Sequence, residues 1–194
     1  IIFCFISSKA KSTYITVSSS PNNEKVFEFV KNEITAFLEY IPIGFEKEHG
    51  FTSRDEFSKA VPGSVYLIKG IGIDGNIFAT NLYNIPIVVD GEYRAMLTIS
   101  YSDNTYQFEA IGANLLAKEI QILEKEMVPD ASFEKIILNI YSKQCGFVTY
   151  KEGNTRIEDA TFIPLASAKT ALEETNRATG TTYKLNEIVT ALLN

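Results

Sequence analysis

The chain has 194 residues, 45% hydrophobic and 22% charged, the balance of a globular protein and not of a disordered one. Its formal net charge is -6 and no dense Lys/Arg cluster interrupts it, which argues against nucleic acid or an anionic membrane surface as partner. With two cysteines and one histidine, a disulfide framework and a zinc site built on Cys and His both lack the residues they need.

The first ten residues, IIFCFISSKA, read as the remnant of a secretory signal: a short apolar run, then Ser8 and Ala10 spaced for cleavage after Ala10. The competing reading is a buried first strand. The run is too short to cross a membrane, and Phe3 before Cys4 is the wrong residue for a lipid-attachment signal. Low cysteine use fits an exported protein of the Gram-positive type, extracellular or at the cell surface, and fits a cytosolic one equally. Residues 11–23 are a polar linker or leading strand. Residues 24–194 read as one α+β domain, cut short at the C-terminus because the last helical pattern stops abruptly at Leu193-Asn194.

From Glu24 to Ile41 the apolar residues Val26, Phe27, Val30, Ile34, Phe37, Leu38 and Ile41 recur every three or four positions, which predicts an amphipathic helix. Asn22 or Asn23 would cap it, and Pro42 with Gly44 would end it. Gly50–Gly63 predicts a short helix capped by Thr52 or Ser53, with Asp55 and Glu56 in its first turn. An apolar strand, SVYLIKGIGI, follows. Asp74-Gly75 and Asp90-Gly91 then predict hairpin turns, because both pairs tolerate positive φ; Asp103-Asn104 and Gly153-Asn154 predict two more.

After Asp90-Gly91 the alternation is clear. Tyr93, Ala95, Leu97, Ile99 and Tyr101 share one face, and Arg94, Met96, Thr98 and Ser100 the other, as in a half-buried antiparallel strand. Gly112–Met127 predicts a second amphipathic helix, stopped by Val128-Pro129-Asp130. FEKIILNIYS, QCGFVTYKEGN and EDATFIPLAS predict strands, and SAKTALEETNRAT and TYKLNEIVTALLN two closing helices. The fold class expected is α+β: a twisted, mostly antiparallel sheet with amphipathic helices packed on one face.

Gly70, Gly72 and Gly75 spell G-x-G-x-x-G after an apolar run, and Asp90 stands where a ribose-binding acid would be. The spacing does not suit a dinucleotide site. Only NIFATNLYN, residues 76–84, separates the last glycine from the next strand, and a parallel crossover with its helix needs roughly 10–12 residues. Its Ile, Phe, Thr and Tyr favour strand, and Asp90 is already used by a turn. The glycines are expected to serve a twisted hairpin, with no cofactor.

Other chemistry has few residues to draw on. A nucleophilic cysteine arrangement would have to join Cys145 to His49, the only histidine. His49 sits in a polar loop beside Gly50, and Cys145 opens a strand, whereas reactive cysteines favour helix N-termini and electropositive pockets. No calcium-loop spacing occurs. The carboxylate pairs Glu46/Glu48, Asp55/Glu56 and Glu158/Asp159 read as solvated turns and helix starts.

The stretches AVPGSVYLI, NIPIVVDGEYRAMLTISYSDNTYQFEA and IGANLLAKEIQIL together resemble the non-catalytic N-terminal region of secreted Gram-positive cysteine peptidases, the staphopain-like and related precursors. The matching residues are Gly63, Pro86, Val88, Asp90, Gly91, Leu97 and Tyr106, and the resemblance spans roughly residues 50–165. It departs from that group in that no peptidase domain follows within the chain. The resemblance implies a cystatin-like or half-barrel α+β module, pro-domain-like, that packs against, chaperones or inhibits a downstream or separate peptidase-like partner. Strand edges and loops near Asp74, Gly75, Asp90 and Gly91 would carry the contact. The alternatives are a cell-surface adhesion or ligand-binding module and a hydrolase using His49 with Cys145.

Overall fold

The structure is a computed structural model that describes residues 3–6, 13–16, 21–127, 133–175 and 180–194, with side chains described from Asn23 onward. Ala10, the end of the first closing helical pattern at 176–179 and the Val128-Pro129-Asp130 stop lie outside the described residues. Near the N-terminus, β1 (Phe3–Ile6) pairs antiparallel with β2 (Thr13–Thr16) as a separate two-stranded sheet. The rest is α+β. Eight strands form a mostly antiparallel mixed sheet, open and not closed into a barrel, and the chain divides into two compact units.

The first unit comprises residues 1–65 and 82–132. Its long helix α1 (Pro21–Leu38) starts earlier than the expected cap, at a proline that has no N–H to leave unpaired. Asn22 and Asn23 therefore lie inside the first turn, and Asn23 is buried. Val26, Phe27, Val30 and Leu38 form the buried stripe that the periodicity predicted. At the far end the Tyr40 and Ile41 amides bond back to Phe37 and Leu38, three residues earlier, so the last turn tightens before Pro42.

The predicted capped helix in Gly50–Gly63 is instead a 3-10 turn, Arg54–Lys59, and the Ser53 side chain makes no capping bond. Glu56 does that work: its carboxylate accepts the Thr52 N–H at 2.8 Å and the Arg94 guanidinium at 2.6 Å. A side chain engaged in both directions holds the short segment without a regular α-turn.

β3 (Val61–Pro62) pairs with the end of β5 (Ile77–Val89), which pairs with β6 (Glu92–Ser102), which pairs with β7 (Thr105–Gly112), all antiparallel. Asp90 and Gly91 both have positive φ, 51° and 84°, and Asp103 and Asn104 have 51° and 61°. Both are two-residue hairpin turns of the kind whose twist matches that of the strands. The register slips at Ile87/Val88, where Arg94 is the extra residue on β6, and at Thr98/Ile99, where Glu109 is extra on β7. The first bulge breaks the single stripe read from Tyr93 onward, because Tyr93 pairs with Val88 and Ala95 with Ile87, neighbours that face opposite sides of the sheet. Helix α2 (Asn114–Met127) packs on β6 through Ala117 and Ile120, and Gln121 fills the hydrogen-bonding needs of the hairpin backbone.

The second unit comprises residues 66–81 and 133–194. β4 (Tyr66–Ile71) pairs in parallel with β8 (Phe133–Ile140), with Leu67 opposite Ile136 and Gly70 opposite Asn139. β8 turns back through a 3-10 segment, Tyr141–Lys143, into β9 (Cys145–Glu152). The predicted strand EDATFIPLAS shrinks to β10 (Ile163–Pro164) and an isolated Phe162–Tyr183 bridge, preceded by a 3-10 turn at Ile157–Asp159. Pro164 has no amide to extend the ladder. α3 (Ala166–Glu174) and α4 (Leu185–Leu192) pack over a core that includes Leu138, Ile140, Phe147, Phe162, Leu172 and Ile188.

Across the sheet the strand order is β10-β9-β8-β4-β5-β6-β7, so β10 and β7 are its edges. Among the described residues no helix is long and apolar enough to cross a membrane.

Candidate binding surface

The glycine-rich stretch is a hairpin. β5 is extended from Ile77, so no helix follows Gly75, and no helix N-terminus is available to hold a pyrophosphate. Gly72 donates to the Asn76 carbonyl at 2.9 Å and Gly75 to the Gly72 carbonyl at 3.0 Å. Only Gly75 of this turn has positive φ, 79°, so the turn is longer than the two-residue form that Asp74-Gly75 suggested. The Asp74 carboxylate accepts the Asn76 side-chain amide at 2.7 Å and its backbone N–H at 3.1 Å, which hold its pKa below the usual range. Gly70 is small for a different reason. A Cβ there would come within 2.2 Å of the Phe78 ring, which lies across it.

Gly75 also lines a cleft of about 630 Å³, with Glu158, Asp159, Lys184, Leu185 and Val189 among its walls. Leu185 and Val189 give the cleft apolar surface, and charged groups surround it. Lys184 and Glu158 already have partners. Lys184 Nζ donates to the Asp159 carbonyl at 2.9 Å and to Thr161 Oγ1 at 3.0 Å, and the Lys184 amide donates to Glu187. The Glu158 carboxylate is held low first by its own backbone N–H; slight burial opposes this, and Arg156 and then Lys69 add to it.

Asp74-Gly75 and Asp90-Gly91 both join strands in the interior of the sheet order, so neither hairpin itself presents an edge. Gly91 is tied inward, its carbonyl accepting Gln121 Nε2 at 2.8 Å, while Asp90 reaches Lys59 at 3.5 Å. The long open edge is β7, one strand beyond the Asp90-Gly91 hairpin. No described strand pairs with its outer side. It carries no Lys, Arg or Pro, the residues that commonly protect edges, and its only charge is Glu109 at the bulge.

Behind this edge stands a row of aromatic rings. Tyr101 meets Tyr106 at 4.6 Å between centroids, Tyr106 stacks on Phe29 at 5.2 Å, and Phe29 meets Phe37 at 5.7 Å. Phe37 stacks on Phe108 at 5.3 Å and Phe108 on Tyr40 at 4.7 Å. Burial pushes the Tyr106 hydroxyl pKa up, with Tyr101 and Tyr83 adding to it. The row ends in solvent: Tyr40 is 67% exposed, and Ile43 and Phe45 beyond it are exposed too. In the sequence this row is not set apart from the aromatics of the core. Its only mark is Phe29 and Phe37 on the helix, Tyr40 just past its end, and Tyr106 and Phe108 at strand spacing.

His49 and Cys145 belong to different units. His49 Nδ1 lies 3.0 Å from the Phe45 carbonyl, within its own turn. Cys145 is buried in the second unit's core, and burial pushes its thiol up to about 11, against a weak opposing pull from Lys143. A thiol so placed is almost wholly protonated at neutral pH. Among the described residues no group of three His, Cys, Asp or Glu side chains is gathered to hold a metal ion.

No protein-family model, no curated protein and no solved structure matches this chain.

Proposed function

We propose that the chain is a secreted, non-catalytic protein-binding module of the pro-domain type, which inhibits or chaperones a peptidase-like partner by offering it the β7 edge. The observation that supports this reading is the unpaired edge Thr105–Gly112 beside an aromatic row that is partly in solvent. Open N–H and C=O groups bind an extended partner strand through its main chain, and the adjacent rings select apolar side chains at alternate positions. The protonated, buried Cys145 and the His49 nitrogen engaged by the Phe45 carbonyl of its own turn favour it over a hydrolase built on those two residues.

The test is inhibition of a papain-like cysteine peptidase of the staphopain-like group, followed with a fluorogenic peptide. The chain should inhibit, and Gln107→Lys, which puts a gatekeeper charge on the edge, should weaken inhibition about tenfold or more. Absence of both inhibition and binding would refute the pro-domain reading. The cell-surface ligand-binding alternative has one observation of its own, the cleft beside Gly75 with its apolar wall at Leu185 and Val189. A ligand lost on Val189→Asp but retained on Gln107→Lys would favour it.

A further inference from the structure

We infer that the β7 edge is self-complementary and that a second copy of this chain pairs with it, antiparallel across a two-fold axis at Gln107. The inference rests on the same edge as the proposed function and names a partner that would regulate it.

The register follows from the turn. In a two-residue hairpin the flanking residues, here Ser102 and Thr105, form the narrow pair that exchanges both backbone hydrogen bonds. Alternation then directs the backbone groups of Thr105 and Gln107 toward β6 and those of Tyr106 and Phe108 out of the sheet. Beyond Phe108 the bulge at Glu109 bends the strand and ends the straight edge. A second copy can satisfy the outward groups of both Tyr106 and Phe108 by placing its own Phe108 opposite Tyr106 and its own Tyr106 opposite Phe108. Gln107 then faces Gln107 at the axis.

The side chains agree with that register. Cross-strand aromatic pairs are among the more favourable ones in antiparallel sheets. Here they would extend rings already stacked on Phe29 and Tyr40. Glu109, the only charge on the strand, falls opposite Thr105 and not opposite its own copy, so no like charges face each other. The exposed Tyr40 ring, which already stacks on Phe108, would gain cover. The interface is isologous and closes as a dimer, and does not propagate into a fibre. Each copy carries net charge -6, so raising salt should screen the repulsion and strengthen association.

A cysteine at the axis tests this directly. In a non-hydrogen-bonded antiparallel pair the Cα atoms lie about 4.5 Å apart, within disulfide reach. In a Cys4→Ser background, Gln107→Cys should oxidise to a covalent dimer. Ala110→Cys, which this register places opposite Asn104, should cross-link at least about tenfold less, because bridging fails once Cα atoms are more than about 7 Å apart. Sedimentation of the unaltered chain should show a monomer–dimer equilibrium that shifts toward dimer with salt. Equal cross-linking at both positions, or a chain that stays monomeric across the concentration series, overturns the inference. A monomer whose peptidase inhibition is still weakened by Gln107→Lys would overturn self-pairing and leave the proposed function standing. A dimer with no inhibitory activity would do the reverse.

Discussion

Gly70 is the position where the hairpin and nucleotide readings of the glycine motif part most sharply. A Cβ at Gly70 would sit 2.2, 2.6 and 2.7 Å from three atoms of the Phe78 ring, closer than packed carbons come. All three are atoms of a side chain that can rotate, so Gly70→Ala is accommodated by swinging Phe78 off the strand. That ring is 45% exposed and stacks on Tyr141 at 6.2 Å between centroids. Losing a half-buried phenyl costs about 1–1.5 kcal/mol, half the value for full burial. Replacing Gly by Ala in a strand returns about 0.5 kcal/mol through the unfolded chain. Gly70→Ala alone should therefore destabilise by about 0.5–1 kcal/mol. In a Phe78→Ser background the clash is gone, and the same substitution should be neutral or stabilising by about 0.5 kcal/mol. The coupling of about 1 kcal/mol is measurable by urea unfolding of the four proteins, and corresponds to about 2–4 °C in Tm. Equal destabilisation in both backgrounds would refute the argument. So would a Gly70→Ala variant of unchanged stability that has lost binding of a dinucleotide seen by titration with the unaltered chain.

Three further predictions follow from the buried polar contacts and the thiol. Glu56 and Arg94 side chains are only 11% and 20% exposed, so Glu56→Gln, which leaves the guanidinium without its counter-charge, should cost about 2 kcal/mol at neutral pH. Burial alone would raise the Glu56 pKa, but the Thr52 N–H and hydroxyl and then Arg94 outweigh it, so the folded pKa is depressed. The pair's stabilisation is thus present above the unfolded glutamate pKa of about 4.3 and lost as pH falls through the lower folded value. The gap between the two proteins should close on acidification, and a gap constant from neutral pH to about pH 3 would contradict the assignment. Gln121→Ala removes a partner of both the Gly91 carbonyl and the Tyr93 amide and should cost about 2 kcal/mol in thermal unfolding, whereas a surface-like loss below about 0.5 kcal/mol would exclude that role. Cys145 should react with a disulfide reagent in the folded chain only at the rate of opening and immediately in denaturant; reaction within the mixing time under native conditions would place it at the surface.

What the sequence reveals about this fold is what local physics controls. Asp90-Gly91 and Asp103-Asn104 can be read because positive φ is a property of the residue pair, and α1 because its buried stripe repeats within one element. β5 can be read as extended because nine residues cannot hold a crossover helix. The pairing of β4 with β8 is of another kind. Tyr66–Ile71 and Phe133–Ile140 are both short apolar runs, and nothing in either marks the other as its parallel neighbour. That choice is made by long-range burial, and it is the step that makes β4, the first strand of the Asp74-Gly75 hairpin, an interior one.

The same limit governs the candidate surface. An edge is defined by the strand that is missing beside it, so Thr105–Gly112 carries no sequence mark of being last in the order. What it does carry is a negative one, the lack of Lys, Arg and Pro along an otherwise regular strand. That absence is unremarkable in an interior strand and consequential in an outer one. The aromatic row sharpens the distinction. Phe37 is buried while Tyr40, one helical turn further on, stands in solvent, yet both stack on Phe108. A helix stripe that continues past the point where its own sheet can cover it leaves apolar surface beside open backbone groups, and a partner strand is the element that satisfies both at once.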